Sequence, residues 1–418
     1  MREFRRHWPN LLGACIGLAL GSALNHYMMN LFGPVLIKEF GWQRSQFALV
    51  GSLSLFSLVL VPVAGHFADR FGPRISLMVG FTVVPLGFLA LSFMTGNIYQ
   101  LYAILLIKSV FGVLTTTLVF ARVIVERFDQ ARGMALSLLM SGAPLIGAIC
   151  VPIIGEVIET EGWRTGYRVL AAMSALGGIA AIVLAGGKLA PADPKVTRPA
   201  RHIPTMTRET FLGIVRQPVF LLLIAGMLFC NFPQVIVSSQ MNIVLMDSGA
   251  TASLATWLVS LYAVSVVIGR FITGLALDRV PSHVVALFAL GLPAVGLAVI
   301  ASPLDASWLL AGSIALIGLA QGAEGDVGAF IASRHFPIEH YSFVYSFLIA
   351  AIGGAAAIGS IVLSAILHRT DSFDLFLIIG AALTIGGALC FYMIGFVSGP
   401  PHEPVHSAGA DIPAGELA

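Results

Sequence analysis

Charge is scarce in this chain. Only 11% of its 418 residues are Asp, Glu, Lys or Arg, where soluble domains carry about 25%. A water-facing surface is therefore excluded over most of the sequence. Neither sign dominates: the formal net charge is +2, which leaves no electrostatic footprint for nucleic acid. Cysteine is equally sparse. Cys15, Cys150, Cys230 and Cys390 all fall in apolar stretches without the paired spacing of a metal site, and read as small buried hydrophobes rather than disulfide partners. A phosphate-binding glycine loop, a metal-ligand cluster and a Ser/His/Asp or Cys/His grouping are all missing, so neither a cofactor nor an enzyme activity is expected.

What the chain has is hydrophobic length. Apolar residues make up 57% of it, in runs of about 20 that suit a helix crossing a 30 Å hydrocarbon core. Twelve such runs start near Leu11, Phe47, Ile75, Tyr99, Met134, Tyr167, Pro218, Ala252, His283, Trp308, Tyr341 and Phe373. The first, Leu11–Phe32, is too long for a signal-peptide core and reads as a span. The expected organisation is a six-helix bundle over 1–186, a polar linker over 187–217, a second six-helix bundle over 218–398, and a disordered tail over 399–418. Pro191, Pro194, Pro199 and Pro204 mark the linker, which has room for at most a short surface helix. The tail is rich in Pro and Gly and has no Lys or Arg.

Cations orient the bundle. Arg2, Arg5, Arg6, Arg70, Arg74, Arg122, Arg127, Arg132, Arg279, Arg334 and all the linker's basic residues fall on one side. Lys38, Arg44, Arg164, Arg168 and Arg369 fall on the other. The bias places both termini in the cytoplasm, with the inner membrane as the expected location.

A short pattern occurs twice. Gly65-His66-Phe67-Ala68-Asp69-Arg70 follows the second run, and Gly274-Leu275-Ala276-Leu277-Asp278-Arg279 follows the eighth. In each, a Gly one turn before the Asp permits close helix approach, and the Asp-Arg sits at a helix end. Gly65–Arg74 resembles the loop signature of the major facilitator superfamily. Three further segments are similar to its monocarboxylate and oxalate/formate carriers: Phe40-Gly41-Trp42-Gln43-Arg44-Ser45, Arg122–Leu136, and Ile268-Gly269-Arg270-Phe271-Ile272-Thr273-Gly274. The resemblance implies an all-α fold of twelve helices in two pseudo-symmetric halves rocking about a site at the bilayer midplane, working as a monomer. It also implies that Asp69, Arg70, Asp278 and Arg279 form a cytoplasmic gate, and that Arg270 meets a substrate carboxylate. Two departures narrow it. Val266 stands where animal monocarboxylate carriers tend to place an Asp, and Tyr341–Leu367 has neither Lys nor Arg, so an oxalate-type double anion is not expected.

Ionisable residues inside the spans are few, and each is expensive. Arg270 lies about 12 Å from the cytoplasmic end of its helix at 1.5 Å per residue. A planar five-donor fork there suits bidentate carboxylate binding, or a structural pair with Glu324. Glu324 and Asp326 are about 200° apart on one helix, so at most one faces a central cavity. Glu324 is the expected cavity group, exchanging a proton during transport or held in a static ion pair, while Asp326 reaches a neighbouring helix. Lys108 is expected to couple charge or snorkel outward. Asn25, His26, Asn231, Gln234 and Tyr262 complete the candidate substrate contacts with Arg270; Lys108, Glu324 and Asp326 are the candidate proton-coupling groups. The leading expectation is proton-coupled symport of a small monocarboxylate across the lipid bilayer. The alternatives are organic-anion exchange, efflux of a larger amphipathic compound, or a receptor that binds without transport.

Overall fold

A computed structural model describes residues 2–128, 132–185, 208–303 and 306–397, without the side chains of a few helical residues, chiefly 57–66, 68 and 69. All described secondary structure is helical: α1 (Arg2–Leu20), α2 (Ala23–Phe40), α3 (Arg44–Ala48), α4 (Ser54–Ser92), α5 (Ile98–Gly112), α6 (Thr117–Arg127), α7 (Arg132–Glu161), α8 (Trp163–Leu184), α9 (Arg208–Val215), α10 (Pro218–Cys230), α11 (Met241–Asp247), α12 (Ala252–Leu277), α13 (Ser282–Ile300), α14 (Ser307–His335), α15 (Ile338–Thr370) and α16 (Asp374–Val397). Each of the twelve expected spans begins in or beside one of these helices. Ten segments are long and apolar enough to cross a membrane, or eleven if α9 and α10, bent by 64°, count as one. Gly72, with φ +83°, bends α4 into two helices, a backbone state that only glycine adopts freely. The seventh span is broken after Cys230 and resumes through a π-helical turn, Ile236–Gln240, into α11.

Part of the expected linker is also helical: α9 buries Ile214 against the core of the second half. The remainder of the linker and the whole 399–418 tail lie outside the described residues.

Packing is asymmetric along the membrane normal. At the end that carries the loop glycines Gly41, Gly162 and Gly249, one apolar core draws on both halves of the chain, from Leu24 and Phe32 through Tyr167 to Val235, Tyr262 and Phe376. At the end that carries Arg2 and Val397 the core divides. One part is built on Leu11, Phe81, Phe120 and Leu139 of the first half, the other on Phe220, Leu290, Ile331 and Phe391 of the second. Polar contacts between the halves cluster at the shared end. Arg44 Nη1 meets Asp247 Oδ2 at 2.7 Å. Ser260 Oγ donates to the Ala148 carbonyl at 2.6 Å. Asn30 clamps the π-turn: its Nδ2 donates to the Val237 carbonyl at 2.8 Å, and the Met241 amide donates to its Oδ1 at 2.9 Å. Among the described residues, the halves are thus closed at the far end and parted at the end of the termini.

Within the second half, α12 and α14 touch backbone to backbone. A Cβ on Gly269 would run into the Leu319 backbone, and one on Gly322 into Val266 and Arg270. This small-residue contact is the membrane counterpart of close helix association, and it sets Arg270 against α14.

Candidate functional site

Two polar features face the seam between the halves, and neither repeats the expected pairing. The first is a cavity of about 290 Å³ whose lining includes Asn25, His26, Lys108, Gln234 and Ser238. Four of these are predicted site residues, contributed by α2, α5 and the broken seventh span. Lys108 is buried; its ammonium donates to Asn25 Oδ1 at 2.9 Å and lies 3.2 Å from the centroid of the Phe88 ring. Snorkelling is therefore not what this side chain does. The His26 ring packs edge-on against Tyr27. Ser109 and Ser239 also line the cavity. They were not expected from sequence, although Ser109 follows the expected Lys108 directly. Phe88 comes from α4, and no spacing in the chain announces its meeting with Lys108.

The second feature is Arg270. Its Nε lies 3.4 Å from Asp326 Oδ2, and both Nε and Nη1 are buried without a hydrogen-bond partner among the described residues. It is within electrostatic reach of Tyr27 on α2 and Tyr345 on α15, one residue from each half. The guanidinium therefore faces the seam and not the lipid.

Glu324 is elsewhere. Gln321 Nε2 donates to its Oε2 at 2.8 Å. It lines a pocket of about 30 Å³ between α10, α13 and α14, together with Cys230, Pro233 and Gln234. Asp326 reaches the neighbouring α12, as expected, but it and not Glu324 stands by the cation, while Glu324 is shut inside the second half. The 200° between them settles only that they diverge; helix rotation decides which one meets Arg270. Asn231 goes with Glu324, its side chain beside that carboxylate and its Nδ2 donating to the Met227 carbonyl. Asn231 is therefore not part of the cavity lining. Tyr262 is fully buried, its ring 6.3 Å from that of Tyr27 and its hydroxyl without a partner among the described residues. Gln234 lines both the cavity and the Glu324 pocket.

At the end of the termini, Asp278 and Arg279 are exposed, and the Arg70 guanidinium lies over the Phe71 ring. The Asp69 side chain lies outside the described residues. A Cβ at Gly274 would meet nothing within 4 Å, so the close approach expected of this glycine is not made in this conformation. Open space there agrees with the parted cores.

A first span that turns at Gly21 and Ser22 between α1 and α2 and a broken seventh span meet at a polar cavity, with the halves closed at one end only, which belongs to an alternating-access architecture. A sequence model of the Major Facilitator Superfamily matches residues 16–246 and 228–415, which together take in nearly the whole chain. The chain belongs to the Major Facilitator Superfamily. It is a multi-pass membrane protein of a family of carriers, not enzymes, and moves a small solute by secondary transport. Within the superfamily it is 28% identical over 233 residues to monocarboxylate transporter 13 of Bos taurus, covering 55% of this chain and 51% of that one. It is 24% identical over 358 residues to the agnestins efflux protein AgnL12 of Paecilomyces divaricatus, covering 82% and 76%. The crystal structure of the nucleoside transporter NupG (D323A mutant) superposes with a TM-score of 0.74 at 15% identity, covering 92% of this chain and 99% of that one. At that identity the likeness extends to the fold alone.

Proposed function

We propose that this protein carries a small organic anion, a monocarboxylate moving with a proton, by rocking its two six-helix bundles (1–186 and 218–398) about the seam. The observation that carries the reading is the Arg270 guanidinium, two of whose nitrogens are buried at the seam with no hydrogen bond. A carboxylate can take both in parallel, with the geometry that favours Arg over Lys. Asp326 at 3.4 Å holds the cation in the absence of substrate and gives way when the anion arrives. Lys108 adds a second positive charge facing the same seam and raises the local anion concentration. Glu324, closed off from both cations, takes the proton. The partial match to a monocarboxylate transporter supports this substrate class. The modest cavity and its hydroxyl and amide lining argue against a large amphipathic efflux substrate.

With both termini in the cytoplasm and the inner membrane as host, the parted end opens inward. Asp69, Arg70, Asp278 and Arg279 would then be the gate that engages when the carrier opens outward. The test is uptake of labelled monocarboxylates into vesicles holding the purified protein, with and without an imposed pH gradient. Gradient-driven accumulation that disappears in Arg270→Lys supports the reading. Uptake that requires acid preloaded inside the vesicle replaces symport with exchange, and binding without any movement turns the protein into a receptor.

A further inference from the structure

The cavity between α2, α5 and the seventh span holds a lysine that no carboxylate among the described residues pairs with. Lys108 is 5% exposed, and no Asp or Glu among the described residues comes within ion-pair distance of it. Its stem packs over Gly87, its ammonium over the Phe88 ring, and one proton goes to Asn25 Oδ1. An ammonium has three donors, so two remain for a ligand, and Asn25 keeps its Nδ2 donors free as well. A lone cation seated this deep is retained where an anion completes it.

The other polar groups at this wall are Ser22, His26, Ser109, Ser238, Ser239 and the Gln234 amide. One ammonium and one amide match one carboxylate. Ser238 and Ser239 already donate to the Val235 carbonyl, but the Ser22 and Ser109 hydroxyls and the Gln234 amide are wasted on an aliphatic tail, since burying them against methylenes leaves them unpaired.

We propose that this cavity is an anion site separate from Arg270, in which Lys108 and Asn25 take the carboxylate of a small hydroxylated acid and the serines with Gln234 take its hydroxyl groups. The proposal rests on the carrier reading but concerns a different cation. It predicts that glycerate binds better than butyrate of similar size, and that glycerol does not bind.

Calorimetry on the purified protein tests this with glycerate, butyrate and glycerol as probes. Wild type should bind glycerate at least roughly tenfold more tightly than butyrate, the order expected for a buried polar match against a mismatch. Lys108→Met should lose glycerate binding. Because that variant removes a packed stem, Asn25→Asp is the decisive companion. It puts a carboxylate 2.9 Å from the ammonium and supplies the missing anion without loss of volume. That protein should melt no lower than wild type and bind glycerate roughly ten- to a hundredfold more weakly, the range for losing a charge-assisted contact. Glycerate affinity unchanged in both variants overturns the site, and butyrate binding as tightly as glycerate overturns its hydroxyl selectivity. The two readings separate in vesicles. Acid uptake that needs Arg270 but is indifferent to both cavity variants removes this site and leaves the carrier. Glycerate binding that depends on Lys108 without uptake of any acid removes the carrier and leaves the site.

Discussion

Arg270 Nε stands 3.4 Å from Asp326 Oδ2 without a hydrogen bond between them, so the two residues are neighbours in charge but not locked in geometry. A buried pair in good geometry would be costly to part. A loose one at a seam leaves the guanidinium free to change partner. The looseness follows from backbone contact: Gly269 and Gly322 draw α12 and α14 together next to Arg270, and the side chain bridges from there to the carboxylate one turn further along α14.

Arg270→Lys should keep the charge and lose the fork. Uptake of labelled carboxylate is expected to fall roughly tenfold or more, the value of a bidentate charge-assisted contact, with the melting temperature nearly unchanged. Asp326→Asn should move the other way at the binding step, tightening half-saturation because the internal competitor has gone. An Asp326→Asn carrier with weaker half-saturation would show that this carboxylate helps the substrate and does not compete with it.

Glu324→Gln replaces a carboxylate with its isostere inside the small pocket, where Gln321 already donates to it. The fold should survive, since volume and most hydrogen bonding are kept. Accumulation driven by a pH gradient should vanish while exchange of labelled for unlabelled acid continues. Gradient-driven accumulation at wild-type level would take Glu324 out of the coupling mechanism.

Two of the contacts that hold the far end shut, the Arg44–Asp247 pair and the Asn30 clamp, should differ in weight. The Arg44–Asp247 pair is about a third exposed on each side chain, and exposed pairs contribute about 0–1 kcal/mol. Asn30 is 1% exposed and satisfies two backbone groups of the π-turn, each costing about 1–3 kcal/mol if left bare. Asn30→Ala should therefore open the far end much further than Arg44→Ala. Labelling of a cysteine placed at Ser109 by a membrane-impermeant thiol reagent would read this directly. Equal labelling in the two variants would contradict the ranking.

Glycines that look alike in sequence should respond differently to alanine. Gly269→Ala drives a methyl group into the Leu319 backbone, which cannot rotate away, and should cost about 1–3 kcal/mol by overpacking. Gly274→Ala, one turn and a residue later, meets open space and should leave the melting temperature unchanged or slightly raised. A Gly274→Ala protein that is stable yet slow in transport would reveal that this glycine is needed in the other conformation.

Much of this was legible without coordinates. Apolar runs of bilayer length, separated by loops whose basic residues alternate in abundance, dictate a multi-span helical protein, because backbone groups in hydrocarbon must bond within their own segment. The repeated Gly-x-x-x-Asp-Arg marked two related halves, and the scarcity of intramembrane charge picked out Lys108, Arg270, Glu324 and Asp326. Composition is enough for such inferences, since the cost of a polar group in lipid does not depend on which neighbour it finds.

Partners were another matter. Spacing along α14 separated Glu324 from Asp326 but could not say which faced the cation; the small-residue contact with α12 set that rotation. Asn25 meets Lys108 across 83 positions, and Phe88 lies beneath it from a third helix. Asn30, one turn after His26 in the sequence, becomes a clamp only because the seventh span breaks into a π-turn opposite it. One-dimensional order fixes which side chains are too costly to be idle. Rotation and docking of rigid helices, determined by packing over the whole bundle, assign each of them its counterpart.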